Sequence, residues 1–428
     1  MGRDEKNGPD VIVIGAGAAG LACAADLVAG GLRVTVLEAS DGVGGRMRTD
    51  RVSGFTLDRG FQVFNTAYPQ VKRRLALRPL RLRPFTPGAL VHTGEGRLLR
   101  FTDPTRRPRE SRDLLPGRLA SARDLAALGL LTARDALLPP RWLRAGADRT
   151  TRAALAGAGI SDELVETFFR PFLSGVFLED GLETSSRMFH FVWRSMVRGT
   201  LCLPADGIGA VPAQLAGGLP PGVLRTGAPA ARLTDHGAAL TDGGEHRARA
   251  VVVATNQAAA ARLLPALDVP AGRTVTTLYY AADRSPLREP TLLVDTARRF
   301  LNTCVLSEVH PGYAPDGRAL IAASVLGAPG PAEEAVLRAA LSEAYGADTD
   351  GWETVHRYTA RDALPAMPPP LSLIRTTRVG PFRYVCGDHR ATGSLQGAMA
   401  SGARAAREVL ADFHRPGGSV RSSPRRAP

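Results

Sequence analysis

Asp10-Val11-Ile12-Val13-Ile14-Gly15-Ala16-Gly17-Ala18-Ala19-Gly20 places a β-branched run directly before a G-x-G-x-x-G spacing. The run favours a strand. Ala18–Ala29 follows as a good helix former, and residues 32–37 are strand-like again, ending at Glu38. The succession predicts one β-α-β unit. In that context the three glycines differ in what they permit. Gly15 allows the tight turn, Gly17 lets the backbone approach a pyrophosphate, and Gly20 lets helix and strand pack closely. The helix amino end then faces the phosphates. Glu38, 18 residues beyond Gly20, stands where an acid accepts hydrogen bonds from the adenosine ribose. A 2′-phosphate would be repelled there, which disfavours NADP. The motif by itself leaves FAD and NAD both open.

Further sheet signals come late, at 250–254 with Val251, Val252 and Val253, and at 382–386, before a last helix at 394–410. The two ends of the chain are therefore expected to form one α/β domain. Between them, apolar residues recur at helical spacing over 114–198, with breaks at Pro139-Pro140, Gly157 to Gly159 and Pro171. Strands are expected at 274–282, 300–309, 319–326 and 352–359, with a helix at 332–345. That pattern predicts a mixed sheet beside a helical segment. The Pro, Ser, Gly and Arg tail from His414 is expected to be disordered.

At 428 residues the chain has room for two or three packed units, and 44% hydrophobic with 22% charged residues is an ordinary globular balance. No apolar run reaches the roughly 18 to 20 residues that cross a bilayer. The first residues lack the order of parts of a secretory signal, and the four cysteines form no Cys-x-x-Cys pair. A cytoplasmic protein without disulfides or zinc is expected. The net charge is 54 − 41 = +13, and only Lys6 and Lys72 are lysine. Residues 72–152 hold 19 basic and 7 acidic side chains, or +12. Such a segment attracts anions. No nucleic-acid module accompanies it, so nucleic acid is not expected as a partner, whereas peripheral contact with an anionic membrane surface stays open.

Two more groups of residues bear on the cofactor. Gly42-Val43-Gly44-Gly45-Arg46-Met47-Arg48-Thr49 and Leu57-Asp58-Arg59-Gly60-Phe61-Gln62-Val63 follow Glu38. Val385-Cys386-Gly387-Asp388-His389 and Gly393-Ser394-Leu395-Gln396-Gly397-Ala398-Met399-Ala400-Ser401-Gly402 lie near the other end. With these the chain resembles the flavin-containing amine oxidoreductase superfamily, which includes monoamine and polyamine oxidases, protoporphyrinogen oxidase, phytoene desaturases and carotenoid isomerases. The resemblance is close over 10–65 and 380–410, moderate over 222–255, and an outline elsewhere. It implies an α/β fold with a discontinuous Rossmann-like FAD-binding domain (1–70, 205–265 and 375–412). The substrate domain would be α+β, a helical segment and a mixed sheet (71–204 and 266–374), and 413–428 a basic tail.

The resemblance also implies roles. Gly15, Gly17, Ala18, Ala19, Gly20, Glu38 and Ala39 would hold the adenosine diphosphate portion, and Gly45 and Arg46 would sit at the pyrophosphate. Gly60, Phe61, Gln62 and Val63 would line the isoalloxazine ring, Ala230 would hold adenine through its backbone, and Gly387 and Asp388 would meet the ribityl or phosphate region. The amides of Gln396, Gly397 and Ala398 would face flavin N1 and the C2 carbonyl, stabilising negative charge on reduction. A surface salt bridge for Arg46, a turn cap for Asp388 and a structural hydrogen bond for His389 remain open alternatives, and Cys386 reads as a buried small hydrophobe.

Departures from the superfamily narrow the chemistry. No lysine follows Lys72, so the active-site lysine of many amine oxidases has no counterpart. The aromatic pair that sandwiches an amine is missing from the runs 391–396 and 363–367. Cys386 is misplaced for covalent flavin attachment, so FAD is expected to be non-covalent. Phe168, Phe169, Phe172, Phe177, Met188, Phe189, Phe191, Trp193 and Met196 read as core or as the wall of an apolar cavity. The expected activity is hydride transfer from a substrate C–H to the flavin, dehydrogenating a bulky apolar, isoprenoid-like small molecule. Amine oxidation with oxygen as acceptor, a redox-neutral isomerase using reduced FAD, and a non-catalytic membrane-associated flavoprotein are the alternatives. Neither a catalytic side chain nor the electron acceptor is assigned, and no metal is expected.

Overall fold

The computed structural model describes residues 8–103, 106–109, 114, 118–141 and 146–414. Most of the tail expected to be disordered, and part of the basic segment, lie outside the described residues. The chain forms two compact units interleaved in sequence, one from 1–45, 212–269 and 372–428, the other from 46–211 and 270–371.

The first unit is built on a six-stranded sheet. Val11–Ile14 lies near its middle, flanked in parallel by Val34–Leu37 and Ala250–Val253. Leu224–Arg225 extends one side, and Arg383–Val385 and the antiparallel edge Arg378–Gly380 extend the other. The central strands are buried at every position, as parallel strands covered on both faces must be. This is why they read as unbroken apolar runs rather than alternating ones. Helices Ala18–Ala29 and Leu395–Phe413 pack together so closely that a Cβ on Gly402 would stand 2.2 Å from the Ala19 carbonyl oxygen. A three-stranded sheet, Ala230–Thr234, Gly237–Leu240 and Glu245–Arg247, adds Ala238 and Leu240 to the apolar cluster of Ile12, Ile14, Leu37, Val251 and Val253. An α/β unit assembled from distant stretches of chain, as expected, is present.

The second unit contains a seven-stranded sheet, ordered Glu353–Pro365, Gly272–Ala282, Ala319–Leu326, Asn302–Val305, Leu292–Asp295, Gly88–His92, Leu98–Thr102. All neighbours are antiparallel except Leu292–Asp295 with Gly88–His92. Alternation divides the strand Gly272–Ala282 between two cores. Leu278, Tyr280 and Ala282 meet Leu337, Ala340 and Leu341 of helix Pro331–Tyr345, while Tyr279 and Ala281 meet Phe55, Leu57 and Phe85. Phe55 and Leu57 come from the hairpin Thr49–Val52/Phe55–Asp58, which is why residues 46–70 pack here and not with the dinucleotide unit as expected. Residues 205–211 follow them, because the amides of Ile208 and Gly209 donate to Asp58 Oδ1 and Thr49 Oγ1, both at 2.9 Å.

The helical segment contains Ala122–Leu137, Thr151–Gly157, Asp162–Leu164, Arg170–Phe177 and Ser186–Arg198. Pro171, expected as a break, is not one. A π-helical turn, Val165–Phe169, carries the helix through, and such a widened turn relieves the clash of a proline ring with the preceding turn. The strand expected at 300–309 ends at Val305, where the helix Leu306–Val309 begins, and the one expected at 352–359 runs on to Pro365.

Candidate functional site

In the first unit the glycine-rich turn separates two demands on glycine. A Cβ on Gly20 would lie 1.9 Å from the Gly15 carbonyl oxygen, so packing alone requires that glycine. A Cβ on Gly17 would meet nothing within 4 Å, and its φ of −75° suits any residue. Packing does not require glycine at Gly17, which caps the helix; open space in front of a helix amino end is what a diphosphate needs. The side chains of Ala18 and Ala19 are buried, so these residues can offer a ligand only their backbone. Gly44 donates its amide to the Ala16 carbonyl at 2.9 Å, which brings Gly45, at φ +58°, beside Gly17.

Glu38 is buried and held at both oxygens. The Ala16 amide donates to Oε2 at 2.7 Å, and the amide and hydroxyl of Ser40 donate to Oε1 at 2.9 and 2.7 Å. A carboxylate so fixed keeps lone pairs for a ribose hydroxyl. Ala39 beside it is exposed. The amides of Ala228 and Gly227 donate to the carbonyls of Glu38 and Ser40, so the chain leading into the Ala230 strand passes the same strand end. Ser40, which positions Glu38, is not singled out by the sequence; a hydroxyl two residues after a strand-terminal acid is its only signal.

Ser401 ties the late motif together, accepting from the Gly387 amide at 2.9 Å and donating to the Gly387 carbonyl at 2.7 Å. Asp388 is buried and its Oδ1 accepts from the adjacent His389 amide at 3.1 Å. His389 and Cys386 are buried too. Ser394 caps the final helix: its Oγ accepts from the Gly397 amide at 3.1 Å, and its carbonyl accepts from the Ala398 amide at 2.9 Å. Two of the three amides assigned to the flavin are thus engaged within the helix, and what this end offers a ligand is the positive end of the helix dipole.

The remaining predicted residues belong to the second unit. The Arg46 guanidinium donates to the carbonyls of Ala363 and Asp362 at 2.8 and 3.4 Å, and Gln62 Nε2 donates to the Arg46 carbonyl at 2.6 Å. The backbone carbonyls of Ala363 and Asp362 thus help to hold the Arg46 guanidinium. The Phe61 amide donates to Thr277 Oγ1 at 3.1 Å, and Thr277 pairs with Ser324 at 3.0 Å. Gly60 donates to the Asp58 carbonyl at 2.7 Å, as does the Tyr279 hydroxyl. Burial pushes the Asp58 carboxyl up to about 6, against the hydrogen bonds from Thr49 and the Ile208 amide. Thr277, Ser324 and Tyr279 brace Gly60 to Val63 from strands more than two hundred residues away, which no local pattern could reveal. Phe61 and Val63 are half-buried against the cluster of Phe55, Phe85 and Tyr279.

The proposed apolar wall resolves mostly as core. Phe168, Phe169, Phe177, Met188, Phe189 and Trp193 are buried, with Phe169 meeting Phe189 edge-on at 6.3 Å and Trp193 at 5.5 Å. Phe172, Phe191 and Met196 are half-buried. Among the described residues no group of His, Cys, Asp and Glu is arranged to hold a metal.

A buried parallel sheet, a turn with open space in front of a helix amino end at Gly17, and an acid pinned at the next strand end fit a dinucleotide cofactor. The chain belongs to the family of flavin containing amine oxidoreductases, whose model matches residues 18–410. The members are FAD-dependent oxidoreductases, and FAD is the cofactor of this chain. Over 56 residues it is 54% identical to human lysine-specific histone demethylase 2, an alignment spanning 13% of this chain and 7% of that protein. Over 51 residues it is 53% identical to hydroxyneurosporene desaturase of Rhodobacter capsulatus, spanning 12% and 10%. The chain thus matches only a small part of these relatives' length. Cyclohexylamine oxidase from Brevibacterium oxydans superposes with a TM-score of 0.68 at 19% identity, covering 95% of this chain and all of that one, a likeness of fold.

Proposed function

We propose that the protein is an FAD-dependent oxidoreductase that dehydrogenates a bulky apolar small molecule, with FAD held non-covalently. When bound, the flavin supplies the hydride acceptor. Glu38 would accept from the adenosine ribose, the turn from Gly15 to Gly20 with Gly45 and Arg46 would take the diphosphate, and Ala230 would meet adenine. Gly387 and Asp388 would border the ribityl chain and Gly60 to Val63 the ring. The amino end of Leu395–Phe413 would stabilise negative charge.

The observation that carries the substrate class is the character of the chain at Gly60 to Val63. Phe61 and Val63 pack on apolar neighbours, and the hydroxyls of Thr277, Ser324 and Tyr279 are engaged with each other or with backbone groups of this stretch. Such a surface favours an apolar reactant and excludes water. The absence of lysine after Lys72 supports the same reading over amine oxidation. Non-covalent attachment is supported by the burial of all four cysteines, none of them in a disulfide. Amine oxidation with oxygen as acceptor is the second reading, favoured by the family match itself.

Anaerobic mixing of the flavin-loaded protein with saturated or partly saturated isoprenoids, and separately with primary and secondary amines, tests the choice. Bleaching of the oxidised visible band by the apolar compounds is expected. Bleaching by amines alone transfers the assignment to the second reading, and a protein that cannot be loaded with FAD sinks both.

A further inference from the structure

The helix Ala122–Leu137 is turned inside out for a helix at a protein surface. Both its acids point inward, Asp124 at 3% and Asp135 at 0% exposure, whereas Leu130 and Leu137 are 74% and 78% exposed. The inward acids are fully engaged. Asp124 accepts from the Ser121 and Ser161 hydroxyls at 2.6 and 2.9 Å and from the Ser161 amide at 2.7 Å. Asp135 pairs with His190 Nδ1 at 2.7 Å and with Arg134 at 3.0 Å. Helical periodicity gathers Ala126, Leu130, Ala133 and Leu137 into one outward stripe, which continues into exposed Leu138. Arg123 and Arg134 run along one side of it and Arg141 lies beyond its end, all exposed; no acid of the helix reaches that face.

A single exposed leucine needs no explanation, but an apolar stripe edged only by arginine, on a helix that has withdrawn its own acids, does. We propose that this stripe rests on the surface of an anionic lipid bilayer, with Leu130, Leu137 and Leu138 in the acyl boundary and Arg123 and Arg141 at the level of the lipid phosphates. Charge selects this occupant over a second copy of the chain. Among the described residues of this stretch, 118–141, the exposed charges are all arginine, so two copies meeting through the stripe would set arginine against arginine, while lipid phosphate supplies negative charge. The contact is peripheral, since no helix among the described residues is long and apolar enough to cross a membrane. The inference stands apart from the reading of the activity.

Co-sedimentation of the full-length, FAD-loaded protein with phosphatidylcholine vesicles, with and without phosphatidylglycerol, is the test. Binding to the anionic vesicles, weakened by salt, is expected. The double variant Leu130→Asp/Leu137→Asp should lose at least about tenfold in affinity with its circular dichroism and flavin spectrum unchanged. Arg123→Glu/Arg141→Glu should lose about as much, and only on anionic vesicles. As a check independent of those variants, a polarity-sensitive dye on Leu137→Cys should shift to the blue on anionic vesicles. No vesicle binding, equal binding by the leucine variant, an unshifted dye, or a dimer that Leu130→Asp splits would each overturn the proposal.

Discussion

Alanine at Gly17 is expected to leave the apoprotein folded and remove most of its affinity for FAD, while alanine at Gly20 damages the fold itself. At Gly17 the backbone is in an ordinary region (φ −75°, ψ 177°) and the added methyl meets no atom within 4 Å. The lower flexibility of alanine in the unfolded chain is worth about 0.4 to 1 kcal/mol, and replacing the N-cap glycine by alanine costs roughly 0.5 to 1 kcal/mol. The two nearly cancel, so apoprotein stability should stay within about 0.5 kcal/mol of wild type. At Gly20 the methyl would stand 1.9 Å from the Gly15 carbonyl oxygen, a backbone atom that cannot rotate aside. Overpacking of this kind costs about 1 to 3 kcal/mol, and a rigid neighbour puts Gly20→Ala at the upper end or above it. For FAD the same Gly17 methyl occupies the approach of the diphosphate, and displacing it should cost at least about 1.4 kcal/mol, or tenfold in Kd. Urea denaturation of both apoproteins followed by circular dichroism, and titration with FAD by quenching of flavin fluorescence, read the two effects separately. Wild-type affinity for FAD in Gly17→Ala would refute the assignment of that open space to the cofactor.

Two further substitutions probe the second unit. The buried Asp58 carboxyl, raised from 3.8 to about 6, binds its proton more tightly in the native state than in the unfolded chain. Its contribution to stability is therefore largest below about pH 4 and is lost as pH rises through about 6, by up to about 3 kcal/mol. Asp58→Asn, which can still accept from the Ile208 amide, should flatten that part of the urea-midpoint profile; an unchanged slope means that Asp58 titrates normally. Phe169→Ala removes a fully buried ring and should cost about 3 to 5 kcal/mol without altering KM for any substrate of the folded fraction. A raised KM at unchanged stability would return Phe169 to the wall of a substrate cavity.

The dinucleotide unit is legible in the sequence because its decisive signals are local: a strand, a turn and a helix within twenty residues, and an acid at the next strand end. The sheet of the second unit is only half legible. Gly88–His92 and Leu292–Asp295 are only five and four residues long, and although each has a local antiparallel neighbour, their parallel pairing with each other spans two hundred residues and leaves no local mark. The aromatic run from Phe168 to Met196 is legible as buried but not as core or cavity, since helical spacing is the same for both. Asp124 and Asp135 mislead in the opposite sense: charge in a helix ordinarily marks the solvent side, and here hydroxyl and imidazole partners from Ser161 and His190 draw it inward. Pro171 reads as a break because a π-helical turn leaves no mark in the sequence.

The interleaving of the two units also dictates when each can be finished on the ribosome. The strand Val11–Ile14 has its parallel neighbour Ala250–Val253 some 240 residues later in the chain. At roughly 5 to 20 residues per second of synthesis, that is at least about twelve seconds with one edge of a fully apolar strand unmatched. Gly88–His92 waits almost as long for Leu292–Asp295. The glycine-rich turn cannot be backed by Ala254, nor its helix braced through Gly402, until those later residues have been made. A flavin site built on that turn cannot be completed before the later segments are made, and until then the edges of these strands stay unpaired.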